Sequence, residues 1–271
     1  MITFPNAKIN LGLYITEKRS DGYHNLQSCF VPLTWQDALE ILPSEDFSLH
    51  ISGLHVAGEV QDNLCYKAYE MLRKEHQISP VSIFLHKAIP MGAGLGGGSA
   101  DAAFTLKMLN QLFDLKLNTQ KLCEYASKLG SDCSFFIENT PKFCYEKGDK
   151  MRSIAFDELR GKYVLAVYPN FGIATKEAYT GIKPQAIDFD LSERITKSPL
   201  QEWKNWLKND FEEHLFTKYP ILAEIKQELY EQGAIYAAMS GSGSTIFGIF
   251  ENQANTSNFS NFTCRLCQFF L

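Results

Sequence analysis

The residues Pro90-Met91-Gly92-Ala93-Gly94-Leu95-Gly96-Gly97-Gly98-Ser99-Ala100-Asp101 place five glycines within seven positions, directly before a helical apolar pattern. Glycine lets the backbone turn tightly and come close to a ligand, because no Cβ blocks the approach. Ala102, Ala103, Leu106, Leu109, Leu112 and Phe113 then recur at helical spacing. Ser99 is expected to cap that helix, with Asp101 in its first turn. A loop rich in bare N–H groups that runs into a helix N-terminus is suited to hold phosphate. The dinucleotide pattern G-x-G-x-x-G is formally satisfied by Gly92, Gly94 and Gly97. It should directly follow a strand, however, and Lys87-Ala-Ile-Pro90 intervenes. No Gly-Lys-Ser/Thr closes the run, which excludes a Walker loop.

Three further segments carry groups able to do chemistry. Lys8 and Asn10 project from one face of an alternating strand pattern, where a solvated face is the ordinary fate of such residues. Asp132, in Gly130-Ser-Asp-Cys-Ser-Phe-Phe136, is one carboxylate among apolar neighbours, and by itself suits a turn that caps its own backbone. Ser240-Gly241-Ser242-Gly243-Ser244 offers hydroxyls and free N–H groups on a tight bend.

The elements that must position these groups are mixed. Ala7–Thr16 and Tyr23–Leu33 are expected strands joined by the turn Ser20-Asp-Gly22. More strands are expected at Ala38–Leu42, Phe47–Ser52, Val81–His86, Lys142–Glu146, Tyr163–Tyr168, Ala234–Met239 and Thr245–Phe250. Helices are expected around Leu64–Glu75, from Asn118 or Thr119 to Gly130, from Ser198-Pro199 as cap and first residue, and from Pro220 to Gln232. Ile182–Lys197 reads as a polar stretch that leads into helices. Strands precede and interleave with helices, so the class is α+β, with one domain over residues 1–155 and a second over 156–271.

Composition narrows the function. The 271 residues are 45% hydrophobic and 21% charged, which fits a soluble globular chain. A net charge of −5 argues against nucleic acid as a partner. No apolar run approaches the roughly 18 residues of a membrane span. The N-terminus shows no signal-peptide pattern, so the cytoplasm is expected. Seven cysteines fit a reducing compartment. Cys264-Arg-Leu-Cys267 lacks a second ligand pair for zinc, and with Phe269 and Phe270 it suits a last strand. No protein-held metal site is expected.

Taken together, the segments resemble the GHMP kinases, the family of galactokinase, homoserine kinase and mevalonate kinase. Pro90–Ala103 looks like the family's phosphate-binding motif and Ala238–Thr245 its C-terminal glycine motif. Ala7-Lys-Ile-Asn-Leu-Gly12, Arg19-Ser-Asp-Gly-Tyr-His24, Gly130-Ser-Asp132 and Asn209-Asp-Phe-Glu212 resemble the members that act on a cytidylated polyol. Cys133 and Ser134 depart from the Val and Pro that many relatives carry, which touches only local loop geometry.

The resemblance implies an N-terminal half like the second domain of ribosomal protein S5 and a ferredoxin-like C-terminal half, with nucleotide and substrate meeting in the cleft between them. It also implies that Lys8 and Asp132 are the catalytic pair and that residues 90–100 hold the phosphates of ATP, which Mg²⁺ accompanies. Asn63 and Lys87 belong near the nucleotide. Tyr23 is implied to stack on the cytosine, His24 to hydrogen-bond its edge, and Tyr179 to form a second wall. Asn10, Ser240, Gly241, Ser242 and Gly243 complete the substrate side. The partner is then a small molecule, and the chain a monomer or weak homodimer. A homoserine- or mevalonate-type kinase of the same fold is the alternative, and a non-catalytic nucleotide-binding module a more distant one.

Overall fold

The alternation at the start of the chain becomes a long strand, and its polar positions are as covered as its apolar ones. In the computed structural model, which describes residues 1–269, β1 is Ile2–Thr3, β2 is Asn6–Lys18 and β3 is His24–Gln36. Lys8 and Asn10 are each 3% exposed. The expected solvated face is therefore corrected: both faces of β2 are covered by protein over its first ten residues.

One compact unit comprises Met1–Ala7, Trp35–Met91 and Gly96–Asn139. Its sheet has the order β1, β4 (Ala38–Pro43), β6 (Val81–Lys87), β5 (Ser48–Gly53). β4 is antiparallel to β1 and β6, while β5 runs parallel to β6. A parallel pair needs a crossover, and α1 (Leu64–His76) lies within the connecting segment. Val81, Ile83 and Leu85 of β6 are buried whereas Phe84 and His86 are exposed, the period of two that gives a sheet one covered face. α2 (Gly97–Leu112) packs against α1, α3 (Thr119–Leu129), α4 (Phe135–Glu138) and β4. The Asn63 and Asn118 side chains cap α1 and α3 by accepting from the N–H groups of Cys65 and Lys121.

The start of α2 departs from expectation. Gly96 is its N-cap, in a left-handed conformation (φ 72°, ψ 15°), and no side chain caps the helix. Ser99 therefore lies inside the first turn and is not the cap. Asp101 lies beyond the first turn and is buried, so it does not serve as an exposed partner of the helix dipole. The physical reason is Gly96, whose missing Cβ permits the positive φ that admits the chain to the helix earlier than Ser99.

The second unit comprises Lys8–Thr34, Gly92–Leu95 and the chain from Thr140 onward. One of its sheets has the order β2, β3, β7 (Lys142–Tyr145), β8 (Lys150–Ser153). The other has the order β10 (Tyr236–Met239), β11 (Ile246–Phe250), β9 (Tyr163–Tyr168), β12 (Thr263–Gln268), with every pairing antiparallel. α5 (Thr175–Thr180), α6 (Leu191–Lys197), α7 (Glu212–Lys218) and α8 (Pro220–Glu231) complete it. Leu222, Ile225 and Leu229 of α8 share a core with Leu165, Val167 and Ile246. Burying each such side chain stabilises by about 1.5–3 kcal/mol relative to exposure.

Two element expectations are corrected here. The polar stretch already contains α6, because Asp190 caps it by accepting from the Glu193 N–H, and Leu191 and Ile195 bury one stripe. Ser198 ends α6, and Pro199 caps a 3-10 helix, Leu200–Asn205, where an α-helix is expected. Pro199 disfavours helical geometry in the residue before it, which breaks the chain at Ser198. The last strand forms as β12, and Phe270 lies outside the described residues.

Candidate active site

The glycine loop is held by its carbonyls. Gly92 O accepts from Ile173 N at 3.2 Å, Ala93 O from Thr245 N at 3.2 Å, and Leu95 O from Lys8 N at 2.9 Å. Gly94 O accepts from both Lys8 Nζ (3.1 Å) and Ser240 Oγ (2.9 Å). None of the N–H groups of residues 92–99 has a protein acceptor among the described residues. With the carbonyls engaged and the N–H groups spare, the loop is suited to an anion. Gly94 is required for a second reason: with φ +76°, a Cβ there would lie 1.9 Å from Ser240 O. Pro90 and Ala93 are buried, while Met91 is exposed. Gly97, Gly98, Ser99 and Ala100 form the first turn of α2.

Lys8 sits in a buried polar nest. Its ammonium donates to Asn10 Oδ1 and Gly94 O, and lies 4.7 Å from the centre of the Phe30 ring. Asn10 Nδ2 donates to Ser28 Oγ at 2.9 Å, and Asn10 N donates to Ser240 Oγ at 3.3 Å. The bend from Ser240 to Ser244 is gripped from behind, since Asn209 Nδ2 donates to Met239 O and Gly241 O, both at 2.8 Å. Glu212 accepts from Met239 N and Asp210 from Ile15 N. Ser240, Gly241 and Gly243 are buried, and Ser242 Oγ meets Thr175 Oγ1 at 3.3 Å. Lys8, Asn10, Gly94 and Ser240 are thus brought together within one unit. Asn209 and Ser28 are supports that the sequence reading assigns no role. The signal for Asn209 was its place in Asn209–Glu212, and Ser28 gave none.

Asp132 belongs to the other unit, in the turn between α3 and α4, and is partly exposed. It accepts from Ser131 Oγ at 3.1 Å. Cys133, one of the two residues that depart from the family pattern, is fully buried, and burial pushes its thiol up to about 11. It anchors the turn from within, a task an apolar side chain would also perform.

In that same unit Asn63 and Lys87 line one cavity of about 160 Å³, together with Val60, Leu85, Met91 and Gly98. The Asn63 amide oxygen is engaged in capping α1, which leaves its NH₂ as the group to offer. Lys87 is 1% exposed and bonded to Asp37 and Asp101.

On the β2–β3 hairpin, Tyr23 is 62% exposed, with Lys147 Nζ 5.2 Å from its ring centre. Lys147 stands over one face of the ring, and most of the side chain is open to solvent. His24 stacks on Tyr179 with centroids 5.0 Å apart and planes 27° apart. Burial, with Lys18 nearby, lowers the His24 pKa, so the imidazole is neutral at pH 7. The structure therefore pairs Tyr179 with His24.

Comparison with known proteins identifies the family. The GHMP kinases N terminal domain matches residues 63–139, and GHMP kinases C terminal matches residues 193–266. A 4-diphosphocytidyl-2-C-methyl-D-erythritol kinase of Bacteroides fragilis is 54% identical over 254 residues, covering 92% of each chain. The chain belongs to the GHMP kinase family. A GHMP kinase of the same name from Cytophaga hutchinsonii is 50% identical over 256 residues, covering 94% of each chain. The solved structure of a 4-(cytidine 5'-diphospho)-2C-methyl-D-erythritol kinase matches with a TM-score of 0.79 at 28% identity, over 98% of each chain. The two-domain GHMP kinase fold and ATP-dependent phosphotransferase class follow.

Proposed function

We infer that this GHMP kinase transfers the γ-phosphoryl group of ATP to the 2-hydroxyl of 4-diphosphocytidyl-2-C-methyl-D-erythritol, giving the 2-phosphate and ADP. That step belongs to the non-mevalonate route to isoprenoid precursors. The observation that carries the reading is the Tyr23-His24 pair at the mouth of the β2–β3 hairpin, on a chain 54% identical to a relative of that name.

The acceptor is a tertiary alcohol, a poor nucleophile while protonated. Asp132 takes its proton as the oxygen attacks the γ-phosphorus in line with the departing ADP oxygen. Lys8, fixed by Asn10 and Gly94, stabilises negative charge on the transferring group. The N–H groups of residues 92–99, with the Ser99 hydroxyl, bind the phosphates. The cavity beside Asn63 and Lys87 takes the nucleoside part of ATP, its apolar lining covering the base. Mg²⁺ bound to the phosphates neutralises part of their charge.

Tyr23 stacks on the cytosine, a contact worth roughly 1–3 kcal/mol in nucleic-acid complexes. The neutral His24 offers a directional hydrogen bond to the base, and Tyr179 backs it. The seven free cysteines support a reducing compartment, and the reading is of a cytoplasmic enzyme that works as a monomer or weak homodimer.

A coupled ADP-release assay tests the reading by comparing the cytidylated substrate with mevalonate, homoserine and galactose. Turnover confined to the cytidylated compound is expected. Preferential use of any of the other three would replace the proposed substrate.

A further inference from the structure

Both ends of the glycine loop are fastened to one buried ammonium. Lys87 closes β6, and its Nζ lies 2.7 Å from Asp101 Oδ2 and in direct contact with Asp37 Oδ2. Asp37 Oδ1 accepts from Ala88 N at 2.6 Å and Ile89 N at 2.8 Å. These two residues lead directly into Pro90 at the entry of the loop. Asp101 lies on α2, the helix into which the loop runs. A Cβ added at Gly97 would stand 3.4 Å from Lys87 Nζ, so the ammonium lies directly behind the first turn of that helix. Lys87 and Asp101 both line the cavity that holds Asn63.

We propose that Asp37 and Asp101 are positioning residues for the nucleotide, acting through Lys87 to hold the entry and exit of the glycine loop in register. This rests on the reading of the loop as the ATP phosphate site.

The charges of the cluster do not balance, and that gives the proposal a signature. One ammonium faces two carboxylates, and Asp101 Oδ1 is buried with no hydrogen-bond partner among the described residues. The titratable groups around Asp101 are Lys87 on β6, Asp37 before β4, and Cys65 on α1, whose thiol burial keeps protonated. Burial pushes the Asp101 carboxyl up to about 7; Lys87 opposes the shift and Asp37 adds to it. Below that value the cluster is neutral, and above it one negative charge remains behind the helix turn that receives the phosphates. Binding an anion therefore favours the protonated form, so affinity falls as pH rises through 7.

The test is calorimetry of a nonhydrolysable ATP analogue with Mg²⁺ from pH 6 to 8, on wild-type protein, Asp101→Asn and Asp101→Ala. Ionisation of the analogue is common to all three and cancels in the comparison. Wild-type affinity is expected to weaken severalfold more across this range than that of Asp101→Asn, which keeps the shape and carries no charge. Proton uptake on binding at pH 7, read from buffers of different ionisation enthalpy, should be larger in wild-type than in Asp101→Asn. Asp101→Ala should weaken the analogue severalfold at pH 6 and leave binding of the cytidylated substrate unchanged. An Asp101→Asn curve parallel to wild-type overturns the proposal. So does an Asp101→Ala protein that melts earlier but binds the analogue normally, since the cluster is then only structural. Wild-type protein that binds no analogue at all overturns the phosphate-site reading beneath it.

Discussion

Lys8 Nζ donates to the carbonyl oxygen of Gly94 across 3.1 Å, although 86 positions separate them in sequence. The same carbonyl accepts from Ser240 Oγ. One glycine thereby ties the lysine of the first long strand to the serine-glycine bend, and orientation of the ammonium depends on the path of the loop. Loop geometry and lysine chemistry should fail together.

Gly94→Ala tests that dependence. Its Cβ would meet Ser240 O at 1.9 Å, a backbone atom that cannot swing away, at a φ that side chains disfavour. Stability should fall by at least the roughly 1–3 kcal/mol typical of a strained residue, and turnover should fall with it. Urea unfolding and steady-state kinetics measure both. An unchanged unfolding midpoint with normal turnover would show that the two segments are not in contact.

Asp132→Asn preserves shape and removes the proposed base. Turnover should drop by at least about 10²-fold, the ordinary loss for a general base. ATP binding should persist, because the proposed phosphate contacts come from residues 92–99. Single-turnover kinetics with saturating substrates decides it, and near-normal phosphoryl transfer would remove Asp132 from the proposed role.

Tyr23 has an exposed ring, so its contribution should be almost wholly to substrate binding. Tyr23→Ala should raise KM for the cytidylated substrate roughly tenfold or more, in line with a stacking contact of about 1–3 kcal/mol. Tyr23→Phe keeps the ring and should cost little. Separate calorimetry of substrate and ATP checks the assignment, and a large loss of ATP affinity in both variants would move Tyr23 to the nucleotide side.

His24 supplies a pH dependence of known sign. Its pKa is lowered in the fold by burial and by Lys18, from an ordinary value of 6.5. As pH falls, the unfolded chain therefore takes up this proton first, and the stability contributed by neutral His24 is lost as pH drops through 6.5 and below. Substrate KM should rise over the same window as the imidazole loses its acceptor nitrogen. His24→Gln should flatten that part of the KM profile. A profile unaltered by the substitution would separate His24 from the cytosine.

The local signals were legible in the sequence because they act over a few residues. The glycine run before α2, the alternation of β2, the Asn118 cap of α3, and Pro220 at the start of α8 each rest on backbone or side-chain chemistry within one or two turns. The kinase motifs were legible for the same reason. The tertiary structure decided what those residues touch. Lys8 and Asn10 sit on an alternating strand, yet both are buried, because partners distant in sequence cover the second face. Ser99 has the chemistry of a cap, but Gly96 tolerates positive φ and starts the helix first. Asp101 is expected in the first turn of its helix and instead lies beyond it, buried in a cluster with Lys87 and Asp37, contacts fixed by how α2 packs on its own unit. Periodicity records which way a side chain points along its own element, and only packing supplies the partner it meets there.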